Sequence, residues 1–258
     1  MSQPRPDSPI AAKVFASPNH GERKGGQRPN SIILHYTGMA TGAEALARLC
    51  NPITEVSCHY FVWEDGHVLQ LVPEARRAWH AGAAVWRGQS DMNSASIGIE
   101  IVHPGHDDRE GAVFAPFPEA QIEAVIQLCR DICARYSISP DQILAHSDIA
   151  PARKRDPGEA FPWERLHREG IGHWVAPAPI GGGRFFALGD EGQPVQALQA
   201  MLGMYGYGLA ITGVYDVATQ QVVTAFQRHF RPARVDGIAD ASTITTLRDL
   251  LASRPQVA

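Results

Sequence analysis

A run of proline and glycine, Val175-Ala-Pro-Ala-Pro-Ile-Gly-Gly-Gly-Arg184, divides this chain into two regions of different chemistry. Proline has no N–H to give a helix or a central strand, and consecutive glycines favour neither, so the run is expected to be a linker. Ten of the 11 histidines precede it and only His229 follows, so imidazole chemistry belongs to the first part. With 258 residues, 44% of them hydrophobic and 19% charged, the chain has the apolar content to bury a core and is not a disordered sequence. A net charge of −4 provides no basic excess for a nucleic acid, and no partner of that kind is expected. Nor does any window approach the ~18 apolar residues of a transmembrane helix.

Before the linker, short apolar, β-branched runs bounded by turn residues predict strands at 31–35, 56–62, 67–72, 96–102 and 142–146. Ile122, Val125, Ile126, Cys129, Ile132, Cys133 and Tyr136 recur at i, i+3, i+4, i+7 spacing, and Pro118 suits a first turn; together they predict an amphipathic helix. A shorter helix is expected over 42–49. Strands interleaved with helices define an α/β region with a mixed central sheet flanked by helices. After residue 184 three apolar stripes predict a small all-α three-helix domain: Val195, Leu198 and Leu202; Val222, Val223, Phe226 and Phe230; Ile244, Leu247 and Leu251. Gly213, Asp216 and Thr219 recur 24 residues later as Gly237, Asp240 and Thr243, a glycine turn followed by a helix cap used twice.

Candidate chemistry sits at strand ends. His35 closes the 31–35 run and His146 the 142–146 run, each beside a turn, where a scaffold holds functional groups. Two such histidines share a metal only if their strands are neighbours; a lone one is more often simply hydrogen-bonded. The loop after His146 brings Asp156, a carboxylate ligand, and Lys154, a cation suited to a developing oxyanion. His35, His146 and Asp156 make a three-ligand set with an open fourth position, the layout of a catalytic zinc. Glu100 is the one charge in the run Ser96-Ile-Gly-Ile-Glu100-Ile-Val102, either a general base in a pocket or an edge-strand residue facing solvent.

The blocks Ile33-Leu-His35-Tyr-Thr37, Ser57-Cys-His-Tyr60, Ala78-Trp-His-Ala-Gly82, Ser96-Ile-Gly-Ile-Glu100 and Ala145-His146 through Arg153-Lys-Arg-Asp156-Pro-Gly158 resemble, in order, the zinc-dependent N-acetylmuramoyl-L-alanine amidases of the AmpD and AmiD type, relatives of the peptidoglycan recognition proteins. The region around Phe226-Gln227 resembles a peptidoglycan-binding domain of the three-helix kind. The resemblance implies one Zn2+ per chain on His35, His146 and Asp156, with Glu100 and Lys154 catalytic and Tyr60 and His80 lining the substrate groove. His59, on the strand face opposite Tyr60, receives no role. With the linker placed at 175–184 by its proline and glycine, the expected division is a catalytic domain over 1–174 and a peptidoglycan-binding-like domain over 185–258. The expected reaction is hydrolysis of the amide joining the lactyl group of N-acetylmuramic acid to L-alanine, in peptidoglycan or in 1,6-anhydro-muropeptides. Two rivals are a non-catalytic muropeptide binder and a zinc peptidase acting within the stem peptide.

The first 13 residues lack the basic start and apolar run of an export signal, and no CxxC pair occurs among the four cysteines. Both point to a reducing, cytoplasmic setting; a removed leader would place the chain in the periplasm or cell envelope. The Gly-, Asp- and Pro-rich stretch 103–117 is expected to form a mobile rim.

Overall fold

The computed structural model describes residues 4–107, 109 and 114–255. Its main sheet has six strands in the order β1-β5-β4-β7-β3-β8. These are β1 (Lys13–Val14), β3 (Ser31–Tyr36), β4 (Tyr60–Val62), β5 (Val68–Gln70), β7 (Ser96–Ile101) and β8 (Ile143–Ala145). β3 lies between β7 and β8 and runs parallel to both, while β4 and β5 form the antiparallel pair of the mixed sheet. Two further strands, β2 (His20–Glu22) and β6 (Arg76–Ala78), pair separately. β1, β2 and β6 were not expected: two or three residues are too few to show a period of two.

Residue alternation gives the sheet two different faces. Leu34, Tyr60, Val62, Ile97, Ile99 and Ile101 point into a cluster with Ile122, Val125, Ile126 and Cys129 of helix α3 (Glu119–Tyr136). Ile97, Ile99 and Ile101 are fully buried, and each such side chain stabilises the fold by about 2 kcal/mol relative to exposure. The opposite face, carrying Ile33, His35, Glu100 and Phe61, is where helix α1 (Gly42–Leu49) packs: Ala45 and Leu49 meet Phe61. Thr41 caps α1 by accepting the Glu44 N–H. Two short helices, α2 (Met92–Ala95) and α4 (His146–Ile149), precede β7 and follow β8, and α5 (Trp163–Arg168) completes this part.

The tail forms α6 (Gln193–Tyr205), α7 (Val217–Phe230) and α8 (Ala241–Ala252). The duplicated pattern is a duplicated cap, since Asp216 accepts the Thr219 N–H and Asp240 the Thr243 N–H, both at 2.8 Å. Each repeat is tied to a buried glutamine with both side-chain atoms satisfied. Gln199 accepts from the Thr212 and Gly213 N–H groups and donates to Val214 O and Thr219 Oγ1. Gln227 does the same with Asp236, Gly237, Ile238 and Thr243.

Residues 175–184 carry neither helix nor strand, yet Ala178 is held by Thr246 and Ser242 of α8. The tail is not a separate body. Ile33 and Leu144 of the sheet and Trp86 share one buried cluster with Leu198, Tyr205, Tyr207 and Phe226. Of the expected rim, 108 and 110–113 lie outside the described residues, while His103 stacks on Phe114 and Phe117.

Candidate metal centre

β7, β3 and β8 are adjacent parallel strands, so equivalent positions fall in rows. His35 is in register with Glu100, and Leu34 with Ala145, so Glu100, His35 and His146 line up across the carboxyl ends of three strands. Such ends are where open α/β sheets bind ligands. β7 is interior, which removes the edge-strand alternative for Glu100. Asp156 is drawn in by its loop, whose carbonyl accepts the Ser147 N–H at 3.0 Å.

Three buried atoms converge. His35 Nδ1 lies 2.9 Å from His146 Nδ1 and 3.1 Å from Asp156 Oδ2, and His146 Nδ1 lies 2.9 Å from that oxygen. The second nitrogen of each imidazole is engaged elsewhere. His146 Nε2 donates to Ala81 O at 3.1 Å, and His35 Nε2 is 3.0 Å from His80 Nδ1. Ser96 Oγ gives its hydrogen to Met92 O and so accepts from His80 Nε2 at 3.3 Å, leaving His80 Nδ1 to accept from His35. Both facing Nδ1 atoms are then lone pairs, and with Asp156 they form three acceptors with no hydrogen between them. A cation resolves that conflict: tetrahedral bonds of about 2.0–2.1 Å space their donors about 3.3 Å apart. His35, His146 and Asp156 therefore fit a metal ion.

The electrostatics agree. Burial and the facing His146 ring hold His35 down to about 4, so it is neutral at pH 7. Glu100 moves the other way: burial and then Asp156 push it well above the ordinary value, against Lys154. Its Oε2 is buried and has no hydrogen-bond partner among the described residues, which suits an atom that handles a proton beside the metal position.

His35, Glu100, His146, Lys154 and Asp156 line one cleft of ≈ 230 Å³, open to solvent, together with Trp79, His80 and Arg48. His80 is there, but mainly as the partner of His35. Its ring lies over Gly98, where a Cβ would come within 2.4 Å of the ring, so the glycine is required. Tyr60 is not in the cleft. It is fully buried on the α3 face, in register with Ile99 rather than Glu100, and its hydroxyl donates to Glu74 at 2.6 Å. The neighbouring residue faces the site side instead: His59 accepts the Gly98 N–H and its ring lies 5.7 Å from that of His80. Sequence reasoning missed Asn93, which holds the His80 and Ala81 N–H groups, and Arg153, which grips Ala81 O and Ala83 O. Only the arginine left a trace, as one of the basic residues before Asp156.

A sheet that presents two histidines, an aspartate and a buried glutamate to one cleft has the layout of a metal-dependent hydrolase. The chain belongs to the N-acetylmuramoyl-L-alanine amidase family, which matches residues 25–159; a putative peptidoglycan binding domain matches residues 191–247. It is 40% identical over 231 residues to the N-acetylmuramoyl-L-alanine amidase AmiD of Escherichia coli, covering 85% of this chain and 81% of the relative. It is 33% identical to the 1,6-anhydro-N-acetylmuramyl-L-alanine amidase AmpD of Enterobacter cloacae, covering 61% and 89%. Among solved structures, Escherichia coli AmiD in complex with the substrate anhydro-N-acetylmuramic acid-L-Ala-D-gamma-Glu-L-Lys superposes with a TM-score of 0.76 at 36% identity, over 91% of this chain and 97% of that one.

Proposed function

We propose that this chain is a zinc-dependent N-acetylmuramoyl-L-alanine amidase that cleaves the amide between the lactyl group of N-acetylmuramic acid and L-alanine. The observation that carries this reading is the convergence of three buried acceptors within 3.1 Å beside Glu100. Zinc, the usual metal of this family, supplies Lewis acidity toward water and the scissile carbonyl when bound. His35, His146 and Asp156 hold it. Glu100, its basicity raised by burial, accepts the proton of the attacking water and returns it to the departing nitrogen of L-alanine. Lys154, on the cleft wall, sets its ammonium against the negative charge that develops on the carbonyl oxygen.

The substrate class is drawn from the relatives: the AmiD complex holds an anhydro-muropeptide. We assign residues 1–174 to catalysis and 185–258 to docking on peptidoglycan, joined through 175–184; a docked tail raises the effective concentration of the site near its bonds. Soluble anhydro-muropeptides, in recycling, are the substrate a cytoplasmic chain meets; polymeric peptidoglycan, in turnover, is the substrate an envelope chain meets. The four free thiols support a cytoplasmic setting. Mass spectrometry of a digested anhydro-muropeptide tests the reaction: an intact peptide with a free N-terminal L-alanine is expected. Products cut between stem-peptide residues would instead identify a peptidase, and unchanged substrate with retained binding a binder.

A further inference from the structure

The tail meets the metal centre at one buried carboxylate. Asp148, two residues beyond His146, is fully buried. Its Oδ2 accepts the Ala145 N–H at 2.8 Å and His229 Nδ1 at 2.7 Å, and its Oδ1 accepts the Tyr207 hydroxyl at 2.7 Å. Ala145 directly precedes His146, so Asp148 closes the turn that aims the imidazole. Two of its three donors come from the tail. The His229 ring is itself fixed, stacked on Trp163 at 3.7 Å and Phe230 at 3.8 Å between centroids.

The residue before it on α7 reaches the other histidine. Arg228 Nε lies 3.7 Å from Glu159 Oε2, which is 2.9 Å from His106 Nε2; His106 Nδ1 is 2.9 Å from the Tyr36 hydroxyl, and Tyr36 follows His35. Consecutive residues of one tail helix thus abut the segments that carry both imidazoles.

We propose that Tyr207 and His229 are positioning residues of the metal site: by saturating Asp148 they hold the turn that points His146 Nδ1 at the metal. A buried carboxylate stripped of these donors is costly, and the turn relaxes to find water or another donor. Small displacements of a ligand turn weaken both metal binding and turnover. The tail is then part of the catalytic apparatus as well as a docking module. This inference rests on the assignment of His146 as a ligand.

The test uses full-length metal-free protein and measures zinc affinity by competition with a chromophoric chelator. Tyr207→Phe, which keeps the ring, is expected to weaken zinc binding about threefold, and His229→Leu about tenfold. His229→Gln, which restores an N–H donor, should recover most of the loss. Arg254→Gln is the control: it breaks another contact between the two parts, on Asp141 at the far end of β8, and should lower the melting temperature without moving zinc affinity. Affinities of Tyr207→Phe and His229→Leu within twofold of wild type would overturn the proposal, as would an equal shift in Arg254→Gln. Wild-type affinity in His146→Ala removes the ligand assignment instead, and this inference with it.

Discussion

His80 Nδ1 lies 3.0 Å from His35 Nε2, and the proton between them is placed by Ser96, whose hydroxyl contact with the far side of His80 fixes that ring's tautomer. The lone pair that His35 turns to the metal position is therefore set two side chains away, on β7. Replacing His80 by alanine should weaken zinc affinity about 10- to 100-fold, the effect of losing a hydrogen-bond partner behind a ligand. A residue that only lined the groove would raise KM and leave zinc affinity alone. Chelator competition and steady-state kinetics on the same preparation distinguish the two.

Glu100→Gln keeps the shape of the side chain and removes its basicity. Turnover should fall by about 10²- to 10⁴-fold with zinc stoichiometry near one per chain. A rate within tenfold of wild type would take Glu100 out of the reaction.

Loss of a ligand has a different signature. Asp156→Asn leaves two imidazoles facing a neutral amide, and purified protein should carry little zinc by elemental analysis. In the wild type, a strong chelator should abolish hydrolysis and added zinc restore it. Activity that survives exhaustive chelation would remove the metal from the mechanism.

Acid should destabilise the fold through its buried neutral histidines. Burial, then Arg23, holds His59 down to about 3, against 6.5 for a free side chain. The unfolded chain therefore binds more protons, and stability falls as pH drops below 6.5, continuing toward 3. For one such histidine the loss is about 2 kcal/mol at pH 5. Melting temperature against pH should thus be shallower in His59→Gln; a profile parallel to wild type would refute the assignment.

Tyr60→Phe should leave kcat and KM within about twofold, since the hydroxyl is on the α3 face. It should lower stability by about 1–2 kcal/mol, because Glu74 loses one of its donors in a buried network with Arg135 and Tyr136. A selective rise in KM would return Tyr60 to the groove.

Local patterns were readable in the sequence because local physics sets them. The helix expected over 42–49 forms with those bounds, since Thr41 supplies its cap and Ala45 and Leu49 its buried side. The duplicated Gly, Asp and Thr are the turn and cap of α7 and α8. His35 and His146 were placed at strand ends from the runs before them, and the sheet order made those ends neighbours. Register was not readable. Tyr60 and Phe61 are adjacent in a short apolar run, and which of them shares the face of Glu100 depends on pairing with β7. His80 offered an imidazole without saying that its partner would be another. Nor could the stripes of the tail announce Asp148, since Tyr207 lies outside them, in a bridge with Trp86 after α6, and a histidine on a helix names no acceptor.

The cluster shared by Ile33, Leu144, Trp86 and the tail helices has a consequence for descent. A segment that merely hung from a proline-glycine tether could be gained or lost by one recombination within the tether. Here such an event would strand an apolar patch on the remaining sheet and helices, and with it a carboxylate missing two donors. A lineage shedding the tail must first re-cover Trp86 and its neighbours and supply new hydrogen-bond donors to Asp148. In chains that keep both parts, substitutions at Tyr207 and His229 are therefore expected to track those in the turn after His146.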